Sequence, residues 1–170
     1  MAFVRKTPRE NEIWFAAKHS DTKIPTKRIE DGGYDIYPAF DGAYVKIMPH
    51  ETVKINTGLY SAFPSDYVMI LKERGSTGTK GIGQRCGVID SGFRGEWLVP
   101  ITNHNDKPLY IAKDVKIDTA EDAIIYPYEK AIAQAIVVRV PKMNIVQKHY
   151  EEVCAVDSER KSGMLGSSGK

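Results

Sequence analysis

The sequence from residue 86 to residue 96 reads Cys86-Gly87-Val88-Ile89-Asp90-Ser91-Gly92-Phe93-Arg94-Gly95-Glu96. A carboxylate directly follows an apolar pair, an aromatic ring stands three residues later, and glycines occupy the bends. If this turn forms the lip of a hairpin, Asp90 and Phe93 can face one pocket, where the ring holds a sugar and the carboxylate orients a water. The simpler interpretation is an aspartate in a tight turn and a phenylalanine in the core, and the spacing alone favours it.

Short alternating or β-branched runs on both sides of this stretch predict an all-β fold. Clusters of Gly, Pro, Asn and Asp separate these runs and favour turns, which indicates a β-sandwich or jelly roll. The segment 111–126 mixes charged and apolar residues without a clean period. We expect it to be an insertion, and an extra hairpin, a short helix and a surface excursion all stay open for it. The expected strands are 12–17, 44–48, 52–56, 67–72, 96–101 and 133–140.

The composition is that of one soluble globular domain. The chain has 170 residues, of which 42% are hydrophobic and 27% charged, enough for one sizeable core. A net charge of +2 argues against a broad nucleic-acid surface, so a phosphate ligand needs a local site. No segment has the pattern of a signal peptide or membrane span, and we expect a cytoplasmic protein that binds neither membrane nor nucleic acid. Cys86 and Cys154 lack metal-ligand spacing and are expected to be free thiols.

Two other segments combine a cation, glycines and small hydroxyl side chains. The first is the loop Glu73-Arg74-Gly75-Ser76-Thr77-Gly78-Thr79-Lys80-Gly81. It suits a polyphosphate, because glycines let backbone N–H groups approach the oxygens and arginine offers a planar fork. Alone, such a loop is more often only a turn. The second is the C-terminal segment 160–169, which would have to order on a phosphate and is otherwise a flexible end.

These weak signals occur in the order of one protein family. The chain resembles the trimeric dUTP diphosphatases, or dUTPases, from about Ile24 to Gly169. The third motif, residues 87–95, is the most specific. The other matches are Gly32-Gly33-Tyr34-Asp35-Ile36 behind Ile24-Pro25-Thr26-Lys27-Arg28 for the first motif, Arg74-Gly75-Ser76 with Lys80 for the second, Ile132-Ala133-Gln134 for the fourth and 160–169 for the fifth.

The sequence departs from the family pattern at four positions. Gly75 stands where the family usually has serine, so the serine comes one residue later, at Ser76. Phe93 replaces the usual tyrosine and keeps the flat face. Ala131 stands where the fourth motif has arginine. Leu165 replaces the aromatic residue that stacks on uracil, a loss of very roughly 1 kcal/mol.

The resemblance implies a jelly-roll subunit that assembles as a three-fold homotrimer, with each active site shared between subunits. It implies hydrolysis of dUTP to dUMP and pyrophosphate by water attack on the α-phosphorus, with Mg²⁺ held by the triphosphate. We expect the domain to span 1–159 and a flexible phosphate-clamping tail to span 160–170. The residues that the resemblance places at the substrate are Asp35, Arg74, Gly75, Ser76, Gln84, Gly87, Val88, Ile89, Asp90, Phe93, Gln134, Arg160, Leu165, Gly166, Ser167 and Ser168.

Four of these residues are expected to be catalytic. Asp90 would activate the attacking water and touch the deoxyribose 3′-hydroxyl. Arg74 and Gln134 would hold phosphates. Asp35 would support either the water shell of the metal or an active-site arginine.

The remaining residues would bind parts of the substrate. Phe93 would pack under the sugar and exclude a 2′-hydroxyl, and Ser76 would hold a phosphate. The main chain from 83 to 88 would bind uracil, with Gln84 as a candidate side-chain contact. The tail residues that would clamp the outer phosphates are Arg160, Ser167 and Ser168.

Two other classes of protein remain. Deoxycytidine triphosphate deaminases have a related fold, but they need a catalytic glutamate on the strand after the third motif. That strand reads Leu98-Val99-Pro100-Ile101-Thr102-Asn103 and has no acid, which disfavours deamination. A binding or regulatory protein that lost turnover would explain the departures at Gly75, Ala131 and Leu165, but Arg74 and Asp90 remain.

Overall fold

Twelve strands and two short helices form the described part of the chain, residues 6–119 and 121–159 of a computed structural model. The all-β prediction is confirmed. The elements are β1 (Trp14–Ala17), β2 (Tyr34–Ile36), β3 (Tyr44–Ile47), β4 (Thr52–Asn56), β5 (Leu59–Ala62), β6 (Tyr67–Lys72), α1 (Gly75–Gly78), β7 (Ile82–Gln84), β8 (Val88–Asp90), β9 (Leu98–Asn103), β10 (Leu109–Ala112), β11 (Ile124–Pro127), β12 (Ala133–Arg139) and α2 (Tyr150–Cys154).

The strands pair into four small sheets, whose orders are β1-β5, β11-β10-β3, β2-β12-β6-β8 and β4-β9-β7. Most neighbours in a sheet are distant in sequence, so the fold depends on long-range pairing rather than on simple hairpins. The sheet β2-β12-β6-β8 brings residues from three of the family-like motifs onto adjacent strands. It is therefore the sheet that positions the candidate site.

The core lies between these sheets and is built from alternate residues of the strands. In β12, Ala133 and Ala135 are fully buried while Gln134 between them is only partly buried, as the two-residue period of a strand requires. The other buried core side chains are Ile36, Ile47, Ile55, Leu59, Phe63, Met69, Leu71, Ile82, Trp97, Val99, Ile101, Leu109, Ile111, Tyr126 and Ile132.

The segment 111–126 begins and ends in the core. β10 and β11 pair in parallel, and a parallel pair cannot be joined by a tight hairpin turn. The chain from 113 to 123 makes the connection, and its described residues are mostly exposed. Glu121 fixes this excursion, because its carboxylate accepts a 2.6 Å hydrogen bond from the Tyr110 hydroxyl and forms an ion pair with Lys46. That the segment is an insertion stays a prediction.

The chain forms two compact units, residues 1–140 and 141–170. In the second unit, α2 begins after His149, whose backbone N–H donates to the Glu152 carboxylate at 3.0 Å. The predicted tail, 160–170, lies outside the described residues. Cys86 and Cys154 are free cysteines, as predicted. Within the described ranges, no helix is both long and apolar enough to cross a membrane.

Candidate active site

A cleft of about 630 Å³ opens beside the sheet β2-β12-β6-β8. It is lined by the loop that leads into β2, by the start of α1 and by one residue of β12. Five of the predicted site residues meet there, namely Asp35, Arg74, Gly75, Ser76 and Gln134. The full lining is Thr26, Lys27, Arg28, Asp31, Gly32, Gly33, Asp35, Arg74, Gly75, Ser76 and Gln134.

Strand register brings these side chains together. Gln134 of β12 lies opposite Asp35 of β2 on one side and opposite Lys72 of β6 on the other. The Gln134 amide donates a 2.7 Å hydrogen bond to the Glu73 carbonyl, which ties β12 to the end of β6. A Cβ atom on Gly33 would lie 2.6 Å from the Gln134 side-chain oxygen, so only glycine permits this close approach.

The guanidinium of Arg74 is fixed by several acceptors. Its Nε lies 2.9 Å from Asp35 Oδ1, and its Nη2 lies 3.3 Å from Asp35 Oδ2. Its Nη1 lies 3.3 Å from both the Ala131 carbonyl and Ser76 Oγ. Its own carbonyl accepts the Thr77 hydroxyl at 2.9 Å. Asp35 therefore orients the Arg74 guanidinium, and the role of the pair at a substrate stays a prediction.

A second hollow of about 360 Å³ shares Asp35, Arg74 and Ser76 with the cleft. It adds two cations, Lys80 and Lys130, and the partly apolar surface of Tyr37, Tyr126, Glu129 and Ala131. Burial raises the pKa of Tyr126, and its hydroxyl donates to the Ala131 carbonyl at 2.7 Å. Ala131 is only 2% exposed, and its carbonyl accepts from both Arg74 and Tyr126.

Asp90 and Phe93 do not line the cleft. Asp90 ends β8, which pairs with β6 at the edge of the sheet, and the Phe93 N–H donates to the Asp90 carbonyl at 3.0 Å. Asp90 is exposed and Phe93 is 42% exposed, so Phe93 is not a core residue. The two residues share one turn, and that they face one pocket stays a prediction.

Arg94, which sequence reasoning did not single out, fixes that turn. Its Nη1 donates to the carbonyls of Ser91 at 2.6 Å, Phe93 at 3.0 Å and Ser61 at 3.3 Å. Arg94 thus holds the segment after Asp90 against β5. This contact could not be predicted from the sequence because Ser61 is remote from Arg94 in the chain.

The segment from Gly83 to Val88, which is predicted to bind uracil, also lies outside the lining of the cleft. The Gln84 N–H donates to the Glu73 carboxylate at 3.0 Å, and the Gly87 carbonyl accepts the Leu71 N–H at 2.9 Å. Val88 is 56% exposed and Ile89 is partly buried. The tail positions Arg160, Leu165, Gly166, Ser167 and Ser168 lie outside the described residues.

Comparison with known proteins identifies the family. A family model described as dUTPase matches residues 20–119, more than half of the chain. The chain belongs to the dUTPase family. The predicted family and enzyme class, a hydrolase acting on dUTP, are confirmed.

Similar dUTPases come from bacteria. The deoxyuridine 5′-triphosphate nucleotidohydrolase of Gloeobacter violaceus is 29% identical over 142 residues, 82% of this chain and 83% of the relative. That of Wolbachia sp. subsp. Brugia malayi is 27% identical over an alignment of 174 positions that covers 100% of both chains.

Solved dUTPase structures share the fold over most of the chain. The Staphylococcus bacteriophage 80alpha dUTPase with dUPNHPP has a TM-score of 0.72 at 25% identity and covers 94% of this chain and 99% of its own. The EIAV dUTPase has a TM-score of 0.61 at 20% identity, with coverages of 82% and 98%. The prediction of a dUTPase-like fold is therefore confirmed.

Proposed function

We propose that this dUTPase hydrolyses dUTP to dUMP and pyrophosphate in a site assembled from several copies of the chain. The observation that carries the proposal is the separation of the predicted site residues within one subunit. Arg74, Ser76 and Gln134 share a cleft, whereas Asp90 and Phe93 lie on a turn outside its lining. A substrate that touches both groups is expected to lie between two copies, with a second copy supplying one of the groups. A three-fold homotrimer meets this requirement.

The cleft binds the phosphates in this proposal. The fork between Arg74 and Asp35 holds the guanidinium in one orientation, so it can receive a phosphate without losing much side-chain freedom. Ser76 Oγ and the Gln134 amide are neighbouring donors. Gly75 contributes its backbone, and no atom lies within 4 Å of where its Cβ would be.

The Asp90 turn binds the sugar and directs the water. The exposed Asp90 carboxylate accepts a proton from the water that attacks the α-phosphorus, and the pyrophosphate group leaves. Phe93 presents its exposed ring to the deoxyribose and leaves no room for a 2′-hydroxyl. The main chain of residues 83–88, with the Gln84 side chain beside it, receives uracil.

The residues of the cleft fit a magnesium ion that the substrate brings. Over residues 6–119 and 121–159 no group of three His, Cys, Asp or Glu side chains could hold a metal, and both Asp35 oxygens face Arg74. When bound to the triphosphate, Mg²⁺ offsets negative charge that develops on the phosphates. Arg74 would then hold a phosphate beside the ion, and the carboxylate of Asp35 or Asp31 would contact the water shell of the ion.

The tail completes the proposed site. Arg160, Ser167 and Ser168 would clamp the outer phosphates. Leu165 would cover uracil, and Gly166 would let the backbone approach the substrate closely. These contacts form only when substrate is bound, because the segment has little apolar surface of its own.

A complementation experiment tests the shared site. Arg74→Gln and Asp90→Asn are each expected to abolish pyrophosphate release from dUTP with Mg²⁺. Co-expression of the two variants should restore a fraction of the wild-type rate, because some sites then combine an intact Arg74 with an intact Asp90. Each variant expressed alone and the double variant are the controls. No recovery in mixed oligomers would contradict the shared site.

Substrate class is tested in the same assay. Wild-type protein is expected to release pyrophosphate from dUTP and not from dCTP or dTTP, and to release no ammonia from dCTP. Ammonia release would support a deaminase. Tight dUTP binding without pyrophosphate release would support a regulatory protein.

A further inference from the structure

The loop from Thr26 to Asp35 forms one wall of the cleft and carries two of its cations. The Asp35 N–H donates to the Thr26 carbonyl at 3.1 Å, which closes the base of the loop. At its tip, the Asp31 N–H donates to the Arg28 carbonyl at 3.1 Å. The wall is thus a defined turn, and two cations, Lys27 and Arg28, lie on it.

Lys27 holds the loop in shape. Its ammonium donates to the Asp31 carbonyl at 2.8 Å and to the Arg28 carbonyl at 3.3 Å. It also lies 5.6 Å from the centre of the Tyr34 ring. Because these contacts are to backbone carbonyls of the turn, Lys27 is a structural cation rather than a free one.

Arg28 is held only by a pair that is easily broken. Its Nε and Nη2 lie 3.0 and 3.1 Å from the two oxygens of Asp31, and its side chain is 88% exposed. Exposed ion pairs three residues apart contribute little to stability. Asp31 Oδ2 also accepts the Arg28 backbone N–H at 3.2 Å, so the turn keeps its shape when the guanidinium moves away.

The charges of the cleft show why a moving arginine matters. Its lining holds three cations, Lys27, Arg28 and Arg74, and two carboxylates, Asp31 and Asp35. Arg74 is already engaged by Asp35, and Lys27 by the turn. Among the described residues that line the cleft, Arg28 is therefore the cation that can join Arg74 in contacting a polyphosphate.

We infer that Arg28 exchanges Asp31 for a phosphate of the bound dUTP. The inference rests on the proposed function, since it requires the triphosphate to occupy this cleft. The exchange replaces one two-point contact with another, to a triphosphate that carries more negative charge than the Asp31 carboxylate. The Asp31 carboxylate keeps its backbone hydrogen bond and returns to water.

Binding measurements on full-length protein test the inference without turnover. Isothermal titration with Mg²⁺ and α,β-imido-dUTP, and separately with dUMP, compares wild type, Arg28→Gln and Arg28→Lys. Arg28→Gln is expected to lower the affinity for the triphosphate analogue about tenfold, the usual loss for one charge-assisted contact. Its affinity for dUMP should stay within twofold of wild type. Arg28→Lys should recover part of the loss because it keeps the charge.

Arg9→Gln is the matched control. The exposed side chain of Arg9 also pairs with a carboxylate three residues away, that of the partly exposed Glu12, at 3.5 Å, but Arg9 does not line the cleft. It should bind both ligands as wild type does. The inference would be overturned if Arg28→Gln bound the analogue within twofold of wild type. It would also be overturned if Arg28→Gln and Arg28→Lys lowered the affinity equally, because that result indicates a role in the shape of the loop. Either result leaves the proposed function standing, because that fails only if wild type does not release pyrophosphate from dUTP.

Discussion

The Asp35 carboxylate and the Arg74 guanidinium form a fork, with Nε 2.9 Å from Oδ1 and Nη2 3.3 Å from Oδ2. Asp35→Asn keeps the size of the side chain but offers only one acceptor and no charge, so Arg74 loses its orientation. We expect kcat/KM for dUTP to fall by about ten- to a hundredfold, since misplacement of a charged contact carries such a penalty. Tm should change little, because both side chains are partly exposed. Asp106→Asn is the control, because it alters an exposed pair with His50 and should have no effect on kcat/KM. An Asp35→Asn rate within twofold of wild type would show that Asp35 has no role in the site.

Asp90→Asn should abolish turnover and leave nucleotide affinity largely intact. The amide keeps the size and one hydrogen-bond acceptor of the carboxylate, but it cannot take a proton from water. Rapid-quench measurement of pyrophosphate release and titration of α,β-imido-dUTP separate the two effects. A variant that turns over dUTP within a few-fold of wild type would rule out Asp90 as the group that activates water.

Selection against UTP should depend on the ring of Phe93. Phe93→Ala opens space beside the sugar, so activity on UTP relative to dUTP should rise. Gly95 offers a second test, because a Cβ there would lie 2.5 Å from Phe93 Cζ, and Gly95→Ala should displace the ring without shortening it. Both variants should shift the ratio of kcat/KM values for the two nucleotides. An unchanged ratio in both would make the ring structural only.

Gly75→Ser should be tolerated, although it changes the residue next to Arg74. No atom lies within 4 Å of a Cβ at Gly75, whereas Gly81 has φ +67° and a Cβ there would lie 2.8 Å from Asn105 Nδ2. A non-glycine residue in the left-handed region costs about 1–2 kcal/mol. Thermal denaturation should therefore show Gly81→Ser less stable and Gly75→Ser unchanged. Gly75→Ser should also retain or raise the rate on dUTP, because it restores a hydroxyl where the family has one.

Deletion of residues 161–170 should leave oligomeric state and Tm nearly unchanged and lower the catalytic rate by orders of magnitude. The segment is polar and glycine-rich, so the prediction is that phosphate contacts drive its closure over the substrate. Leu165→Phe should hold or improve the rate of the full chain, because a ring can stack on uracil. A truncated protein as fast as the full chain would show that the tail is not a lid.

The six strands expected from sequence correspond to β1, β3, β4, β6, β9 and β12, and the other six strands were not expected. β4 and β6 have the predicted bounds, because five or six residues suffice to show alternation. β2, β7 and β8 have three residues each, too few to show a period, and they become strands only through pairing with longer neighbours. The parallel pairing of β10 with β11 also escaped prediction, since it depends on partners in the tertiary fold.

The site was predictable where it coincides with a motif. Arg74, Ser76 and Gln134 were expected at the phosphates, and they line one cleft. The contacts made by Arg28 and Arg94 were not predicted, because surface arginines are common and neither spacing indicates an acceptor. Both contacts depend on how a loop folds back on itself, which the sequence does not show.

β12 has a consequence for how this enzyme can evolve. Its alternate positions serve two purposes, with Ala133 and Ala135 in the core and Gln134 at the cleft. A single-residue insertion or deletion within the strand would exchange the two faces, placing an amide in the apolar interior and an alanine at the phosphates. Folding and activity would then be lost in the same event. Changes of length in this lineage should therefore accumulate in connections such as 113–123, and β12 should vary by substitution alone.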